Sequence, residues 1–416
     1  TRNDKSKTTL SQAILSGLAD DGGLFIPSTF PKINASEFDA SEPFAAFAQR
    51  LLAPYFDNDP LSNHLAAHCQ QAFNFPVPLK ALTENTFIME LFHGPTLSFK
   101  DFGARFLGEC LNQLATDKKI TILVATSGDT GSAVASALYQ KPNINVVILY
   151  PKGKVSPSQE HQLTCWDDNV LALKVKGNFD DCQHIVKALF AQGDNQFSSA
   201  NSINIGRLLP QMSYYAYCST QIFQQQGIKP GFIVPSGNLG NVTAAFWAKT
   251  MGFPIGDIVL ATNANQVLSD YLKTGDYQPR ASIATLANAM DVGKPSNFER
   301  LQHLYRDFDE FKAHISAFSI GDDAIKRAIA DCYQNTGKII CPHTATAYAV
   351  RQQLPDQPWV IAATAHPCKF ASIIEPIIGR PVPMAAQLKD LLSRDTHAIE
   401  VAADVDQVAA RISKLS

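Results

Sequence analysis

The stretch Leu91-Phe92-His93-Gly94-Pro95-Thr96-Leu97-Ser98-Phe99-Lys100-Asp101-Phe102-Gly103-Ala104-Arg105 decides how the rest of the chain is read. An apolar run (Phe87, Ile88, Met89, Leu91, Phe92) ends in a Gly-Pro turn. Beyond it Phe102, Phe106, Cys110 and Leu114 recur four apart, the spacing of one helix face. Lys100 thus stands where a loop hands over to a helix, expected between the rings of Phe99 and Phe102. Apolar surroundings and the positive end of a helix both disfavour the ammonium form. A neutral amine can attack an aldehyde, so the position suits a Schiff base; the alternative is an ordinary surface lysine.

Downstream of Thr86, strands alternate with helices. Strands are expected at Ile120 to Ala125, Val146 to Tyr150, Val170 to Val175, Phe232 to Pro235, Ile258 to Ala261 and Val360 to Ala363. Helices are expected around Ser158 to Thr164, Asp181 to Phe190, Ile203 to Gln226 and Val242 to Met251. Near-continuous apolar strands separated by helices predict a helix-covered, mostly parallel sheet, an α/β fold. Upstream, residues 1–80 read as a cap domain of short helical pieces, with Asp20-Asp21-Gly22-Gly23-Leu24-Phe25-Ile26-Pro27 a tight turn into a short strand. The remainder divides into an α/β half at 81–205, a second at 206–380 and a helical extension at 381–416.

The bulk composition narrows the class. A chain of 416 residues suggests two or three domains, and 45% hydrophobic with 18% charged residues fits a soluble globular protein. A net charge of −3 without an arginine-rich block argues against nucleic-acid partners, and no segment nears the ~18 apolar residues of a membrane span. Eight cysteines without a Cys-x-x-Cys pair read as reduced, packed thiols, hence the cytoplasm. The ten histidines do not join them at ligand spacing, so no metal site is expected. Thr1-Arg2-Asn3-Asp4-Lys5 lacks the pattern of a signal peptide, and with no initiator Met the chain reads as trimmed.

Three turns share the order strand, tight turn, helix, and in such sheets ligands gather beyond the carboxyl ends of the strands. In Ala125-Thr126-Ser127-Gly128-Asp129-Thr130-Gly131, hydroxyls and free amides could hold a carboxylate, or Ser127 or Asp129 could simply cap the helix. In Ser236-Gly237-Asn238-Leu239-Gly240-Asn241, two glycines let amides approach a phosphate closely, although no ATP-type P-loop motif is present. In Ala363-Thr364-Ala365-His366-Pro367-Cys368-Lys369-Phe370, Thr364 could bond a ligand or be satisfied by backbone, and His366 reads as structural. A further run, Asn201-Ser202-Ile203-Asn204-Ile205-Gly206-Arg207, gathers amides, a hydroxyl and a guanidinium at a helix start. It suits an anionic, phosphorylated substrate, or else an N-cap (Ser202 or Asn204) beside an exposed arginine. Together these give a phosphate loop, a poised lysine and a separate anion site, the inventory for pyridoxal 5′-phosphate and an anionic amino-acid substrate.

The same motifs, with Asn288-Ala289-Met290-Asp291-Val292-Gly293 and the opening Asp20 to Pro27, resemble the threonine synthase family over almost the whole chain. The resemblance points to the bacterial and fungal branch with an N-terminal cap. It implies the tryptophan synthase β-like (fold type II) pyridoxal phosphate fold, two helix-covered sheets plus a small N-terminal domain. The implied reaction turns O-phospho-L-homoserine and water into L-threonine and phosphate, the last step of threonine biosynthesis. By resemblance, Lys100 would bind the cofactor aldehyde, Ser236, Gly237, Asn238, Leu239, Gly240 and Asn241 its phosphate, and Thr364 would face the pyridine nitrogen. Thr126, Ser127 and Thr130 would hold the substrate carboxylate; Asn201, Ser202, Asn204 and Arg207 would bind its phosphate. Asp129 stands where distant relatives carry asparagine near the cofactor's phenolic oxygen, which puts a direct contact in doubt because two anions repel. A monomer or homodimer is expected. The competing readings are a threonine or serine dehydratase or β-replacing synthase, which need no second phosphate site, and a non-catalytic phospholigand binder.

Overall fold

A computed structural model describes residues 7–115, 119–126, 128–192, 197–305 and 307–415. Its strands are β1 (Leu79–Thr83), β2 (Thr86–Glu90), β3 (Ile120–Ala125), β4 (Ile144–Pro151), β5 (Val170–Lys176), β6 (Phe197–Ser198), β7 (Gly231–Pro235), β8 (Ile258–Thr262), β9 (Ser316–Ser319), β10 (Trp359–Ala363) and β11 (Ile399–Ala402). They form a six-stranded sheet, β1-β2-β10-β7-β8-β9, and a five-stranded sheet, β11-β5-β4-β3-β6. Every described pairing is parallel except β1 with β2. Both faces of the five-stranded sheet are covered. Ile122, Val124, Val146 and Ile148 join a core with the Lys100–Leu114 and Asp129–Leu138 helices, while Leu123, Val147, Leu149 and Leu173 pack on the Phe179–Ala191 and Val405–Ile412 side. Two-sided burial is why these strands read as unbroken apolar runs.

The sheets cut the chain differently from the segments expected. β1 and β2 follow the N-terminal region in sequence but belong to the six-stranded sheet, since Thr86 to Glu90 run beside Trp359 to Ala363. The segment after residue 380 is not purely helical: β11 lies between the Ala386–Leu392 and Val405–Ile412 helices and adds an edge to β5.

Two local expectations are corrected. No strand forms at Phe25 and Ile26; the Phe25 carbonyl instead accepts from Arg300 Nε (3.1 Å) and Nη2 (2.9 Å), and Leu24 N–H donates to Glu299 (3.0 Å), so side chains take the place of a ladder. The single helix expected over 203–226 is three pieces, Ile205–Leu208, a 3₁₀ turn at Leu209–Gln211, and Met212–Gln226. Pro210 lacks the N–H that would continue the ladder. All eight cysteines are buried and free. Among the described residues no helix is long and apolar enough to cross a membrane.

Candidate active site

The loops after β2, β3, β7 and β10, all at carboxyl ends of strands, surround one cavity of about 1610 Å³. Lys100, Thr126, Asp129, Thr130, Asn201, Ser202, Arg207, Thr364 and the whole turn Ser236 to Asn241 line it. Asn204 does not, and Ser127 lies outside the described residues.

The loop carrying Lys100 is gripped from two sides. Asp101 is fully buried and accepts from Thr96 N–H (2.9 Å) and Thr96 Oγ1 (2.6 Å), closing the loop on itself. Gly94 has room only for hydrogen, because a Cβ there would strike the Asp101 carboxyl. Phe99 N–H donates to the Thr364 carbonyl (2.9 Å) and His366 N–H to the Leu97 carbonyl (3.0 Å), with Ser98 bridged to Ala365. These bonds fix Lys100 against Thr364.

Phe102, expected beside the amine, turns into the core instead and packs on Phe75 (ring centroids 4.8 Å apart) and Tyr214 (5.1 Å). Lys100 is nonetheless held down to about 8. Removal from water is the chief cause, opposed by Asp129 and reinforced by the positive charges of Arg207 and Lys369.

The turn after β7 is shaped for an anion. Leu239 adopts a left-handed conformation (φ 62°) and the Gly240–Met251 helix starts beyond it, leaving the first amides of that helix without intrahelical partners. A Cβ at Gly237 would sit 2.6 Å from Met290 Cα, so only glycine permits this approach. Asn241 Oδ1 accepts from the Tyr214 and Tyr215 hydroxyls (2.5 and 2.7 Å), which aims its amide nitrogen elsewhere. Asn238 joins this turn to the Asn201–Arg207 run: its Nδ2 donates to Ser202 Oγ (2.5 Å) while its Oδ1 accepts from Ser296 N–H (2.5 Å).

Arg207 is buried, not exposed. Its Nη1 donates to the Ala200 carbonyl (2.5 Å), its Nε has no partner, and burial lowers it to about 10. A Cβ at Gly103 would lie 2.5 Å from the Arg207 carbonyl, so the Lys100 helix is seated tightly on this arginine.

Two expected ligand groups are spent on the fold. Asn204 is fully buried, caps its helix through Gly206 N–H (2.9 Å), and donates to the carbonyls of Ile14 (2.9 Å) and Ser199 (3.0 Å); neither amide hydrogen is left for a substrate phosphate. Thr126 Oγ1 accepts from the amides of Gly128 (3.1 Å) and Gly131 (3.0 Å) and donates to the Gly128 carbonyl (3.1 Å), which saturates the hydroxyl. Asp129 makes no helix cap. It is ion-paired to Lys369 (2.9 Å); burial alone would raise its carboxyl, but the charges of Lys369 and Lys100 hold it far below the usual range.

Sequence reasoning missed Lys369 and His343. Lys369 is buried and also donates to the Thr96 carbonyl (2.9 Å). His343 lines the cavity; its Nε2 accepts from Ala289 N–H (3.1 Å), which leaves the proton on Nδ1, and burial lowers the ring to about 4, so it is neutral. The signal for His343 was its place three residues into the Cys341-Pro342-His343-Thr344 helix start. Asp291 lines the cavity, and its carboxylate accepts from Thr285, Asn263 and Asn265.

Buried polar atoms without partners test what the cavity would hold. Ser98 Oγ, Arg207 Nε, Ser236 Oγ, Asn241 Nδ2 and His343 Nδ1 are all such atoms, and all five residues line this cavity. Buried polar groups are ordinarily satisfied, so a polar, anionic guest fits here. A phosphorylated ring aldehyde is a guest of that kind.

Comparison with known proteins agrees. Residues 1–73 match the family described as threonine synthase N terminus, 73–364 that of pyridoxal-phosphate dependent enzymes, and 343–412 that of threonine synthase, C-terminal. The chain is 41% identical over 397 residues to threonine synthase of Haemophilus influenzae, covering 93% of this chain and 92% of that one. The identity to the Serratia marcescens enzyme is 38% over 408 residues, covering 96% and 95%. Among solved structures, threonine synthase from Escherichia coli superposes with a TM-score of 0.91 at 35% identity, covering 100% and 99% of the two chains. The pyridoxal-phosphate-bound enzyme from Brucella melitensis gives 0.93 at 31%, covering 100% and 98%.

Proposed function

This chain belongs to the threonine synthase family, and from that premise we propose which of its residues carry the reaction. The enzyme is a pyridoxal-phosphate-dependent lyase that converts O-phospho-L-homoserine and water into L-threonine and phosphate. Lys100 binds the cofactor aldehyde. The amides of 237–241, with Ser236 Oγ and Asn241 Nδ2, take the cofactor phosphate, and Thr364 faces the ring nitrogen, where a neutral hydroxyl does not enforce protonation. Thr130 and Ser127 take the substrate carboxylate. Asn201, Ser202 and Arg207 take the substrate phosphate.

When bound, the cofactor supplies an electron sink for charge developing at the substrate α-carbon. The protein moves the protons. Lys100 Nζ, lowered to about 8 and so neutral in part near that pH, can take a proton from Cα and then one from Cβ as phosphate leaves Cγ; one proton is returned to Cγ, which becomes the methyl group, water gives its hydroxyl to Cβ and its proton to the departing phosphate, and the last proton is returned to Cα. Transfers positioned in this way each contribute about 10²–10⁴-fold. Arg207 and the Asn201–Ser202 turn hold the phosphate while it departs, and the freed phosphate stays available as a base beside them.

The N-terminal region serves as a cap: Gln12, Leu15 and Leu24 stand in the cavity wall, and the Ile14 and Leu15 carbonyls accept from Asn204 and Ser198. Eight reduced cysteines favour the cytoplasm, and a monomer or homodimer suffices because every assigned group comes from one chain.

The observation that supports this reading is the Asn238–Ser202 bond, which ties the Ser236–Asn241 turn to the Asn201–Arg207 turn in one cavity with Lys100. Its test is incubation with O-phospho-L-homoserine, measuring threonine and inorganic phosphate together, with Lys100→Ala as control. Equimolar products lost in that variant are expected. A keto acid formed from threonine, with no phosphate release, would establish the dehydratase reading instead.

A further inference from the structure

Lys369 lies behind the cavity wall. It does not line the cavity, its side chain is 1% exposed, and its Nζ meets Asp129 Oδ1 at 2.9 Å and the Thr96 carbonyl at 2.9 Å. Asp129 does line the cavity, on the first turn of the Asp129–Leu138 helix, and is the carboxylate whose charge acts on Lys100. Two lysines therefore compete for one buried anion, and the geometry awards it to Lys369.

We infer that Lys369 is a positioning residue for Lys100: by keeping Asp129 as its own ion partner, it prevents that carboxylate from closing onto Lys100 and fixing the Lys100 nitrogen in its protonated form. The inference rests on the cofactor assignment above and adds a residue that never touches the reactants. Its physical basis is the cost of a buried, unpaired charge. Without Lys369, Asp129 would be an uncompensated anion in a dry site, a state costly enough that it must recruit a new cation. Lys100 is the cation whose charge it already feels. The other charged and titratable groups around Lys100 do not offer a substitute. Arg207, on the Ile205–Leu208 helix, gives Nη1 to the Ala200 carbonyl, and the charges that act on Asp129 are those of Lys369, Lys100 and His343; His343, on the Pro342–Arg351 helix, is neutral; and Asp101 is turned back onto Thr96. Lys369 also ties the Thr96 carbonyl of the Lys100 loop, so one ammonium sets both the charge beside Lys100 and the path of the loop that presents it.

The test is a pH titration of the visible absorption band of the holoenzyme, whose midpoint reports protonation of the nitrogen that Lys100 contributes. Lys369→Met should raise the midpoint by one unit or more, a tenfold gain in proton affinity, and Lys369→Arg should leave it within a few tenths of wild type. Asp129→Asn should move it the opposite way, downward. In the Asp129→Asn background, Lys369→Met should no longer raise it. A Lys369→Met midpoint that is unmoved or lowered, or one that rises equally with Asp129 removed, overturns the inference. Should Lys369→Met alone not fold, Asp129→Asn and the charge-free double variant decide, and an upward shift in either overturns it. A wild-type protein that shows no visible band with added cofactor would instead sink the cofactor assignment, a distinct result.

Discussion

Replacing Arg207 with Met should make the ligand-free protein no less stable while it cripples substrate use. The guanidinium is 3% exposed, and burial lowers it from 12.5 to about 10. At 1.36 kcal/mol per unit, that shift corresponds to about 3 kcal/mol of unfavourable desolvation carried by the empty site. Against it stand the hydrogen bond to the Ala200 carbonyl, worth about 1.5 kcal/mol to a charged donor, and a small loss of packing, since Met keeps most of the apolar stem. The difference predicts a variant between unchanged and about 2 kcal/mol more stable without ligand. Binding reverses the sign. Charge-assisted bonds from a guanidinium to phosphate contribute about 1.5–3 kcal/mol each, so loss of one or two raises KM for O-phospho-L-homoserine roughly 10- to 10⁴-fold.

Urea denaturation of the cofactor-loaded protein, with and without inorganic phosphate, measures the first effect; steady-state kinetics measures the second. Phosphate should stabilise wild type and leave Arg207→Met unmoved, while retention of pyridoxal phosphate should be equal in both. If the variant is more than about 1 kcal/mol less stable without ligand, Arg207 is a structural cation rather than one held ready for an anion. If KM is unchanged, the substrate phosphate binds elsewhere.

Three more perturbations probe other parts of the argument. Gly237→Ala would place a methyl 2.6 Å from Met290 Cα and 3.0 Å from its carbonyl oxygen, both backbone atoms, so the turn must move; a tenfold or greater loss of pyridoxal phosphate affinity is expected by absorbance titration, and undiminished affinity would show the turn does not hold the cofactor. Glu90, buried at the end of β2, would be raised by burial, but bonds from His93 (2.8 Å), Lys338 and Lys80 (3.2 Å) bring it down to about 2. Its folded value lies below its unfolded one, so its stabilisation is present above pH 4.5 and fades as pH falls toward 2. Glu90→Gln should cost about 2–3 kcal/mol at neutral pH in urea denaturation and almost nothing near the acid end, and a pH-independent cost would refute the ionic account. Finally, Lys100 held down to about 8 predicts that the apoenzyme takes up pyridoxal phosphate faster with rising pH until about 8 and no faster beyond. Stopped-flow absorbance checks this, and a rise continuing toward 10.5 would show an ordinary exposed lysine.

What the chain betrays on its own follows from which forces are local. The strands over Ile120–Ala125 and Trp359–Ala363 are legible because both faces are buried and, Thr121 apart, every residue is apolar. The edge strands Ser316–Ser319 and Ile399–Ala402 are half-covered and polar in part, so their residues look like loop until a neighbouring strand supplies the ladder. The site divides in the same way. Turns such as Ser236 to Asn241 announce themselves because glycine spacing is a local property of backbone approach. Whether a polar side chain in such a turn is free for a ligand is not local. Asn201 and Asn204 sit three apart in one motif with the same chemistry, yet Asn204 is consumed by Ile14, some 190 positions upstream, while Asn201 faces the cavity. Thr126 is consumed by amides within its own turn, and Asp129 by a lysine 240 positions away. Residue type names the group, and only the donor and acceptor count in the folded chain says whether that group has a bond left to give. Five of the side-chain atoms left without a partner, on Ser98, Arg207, Ser236, Asn241 and His343, belong to residues that line a single cavity, and Arg207, Asn241 and His343 are each paired to the fold through another atom.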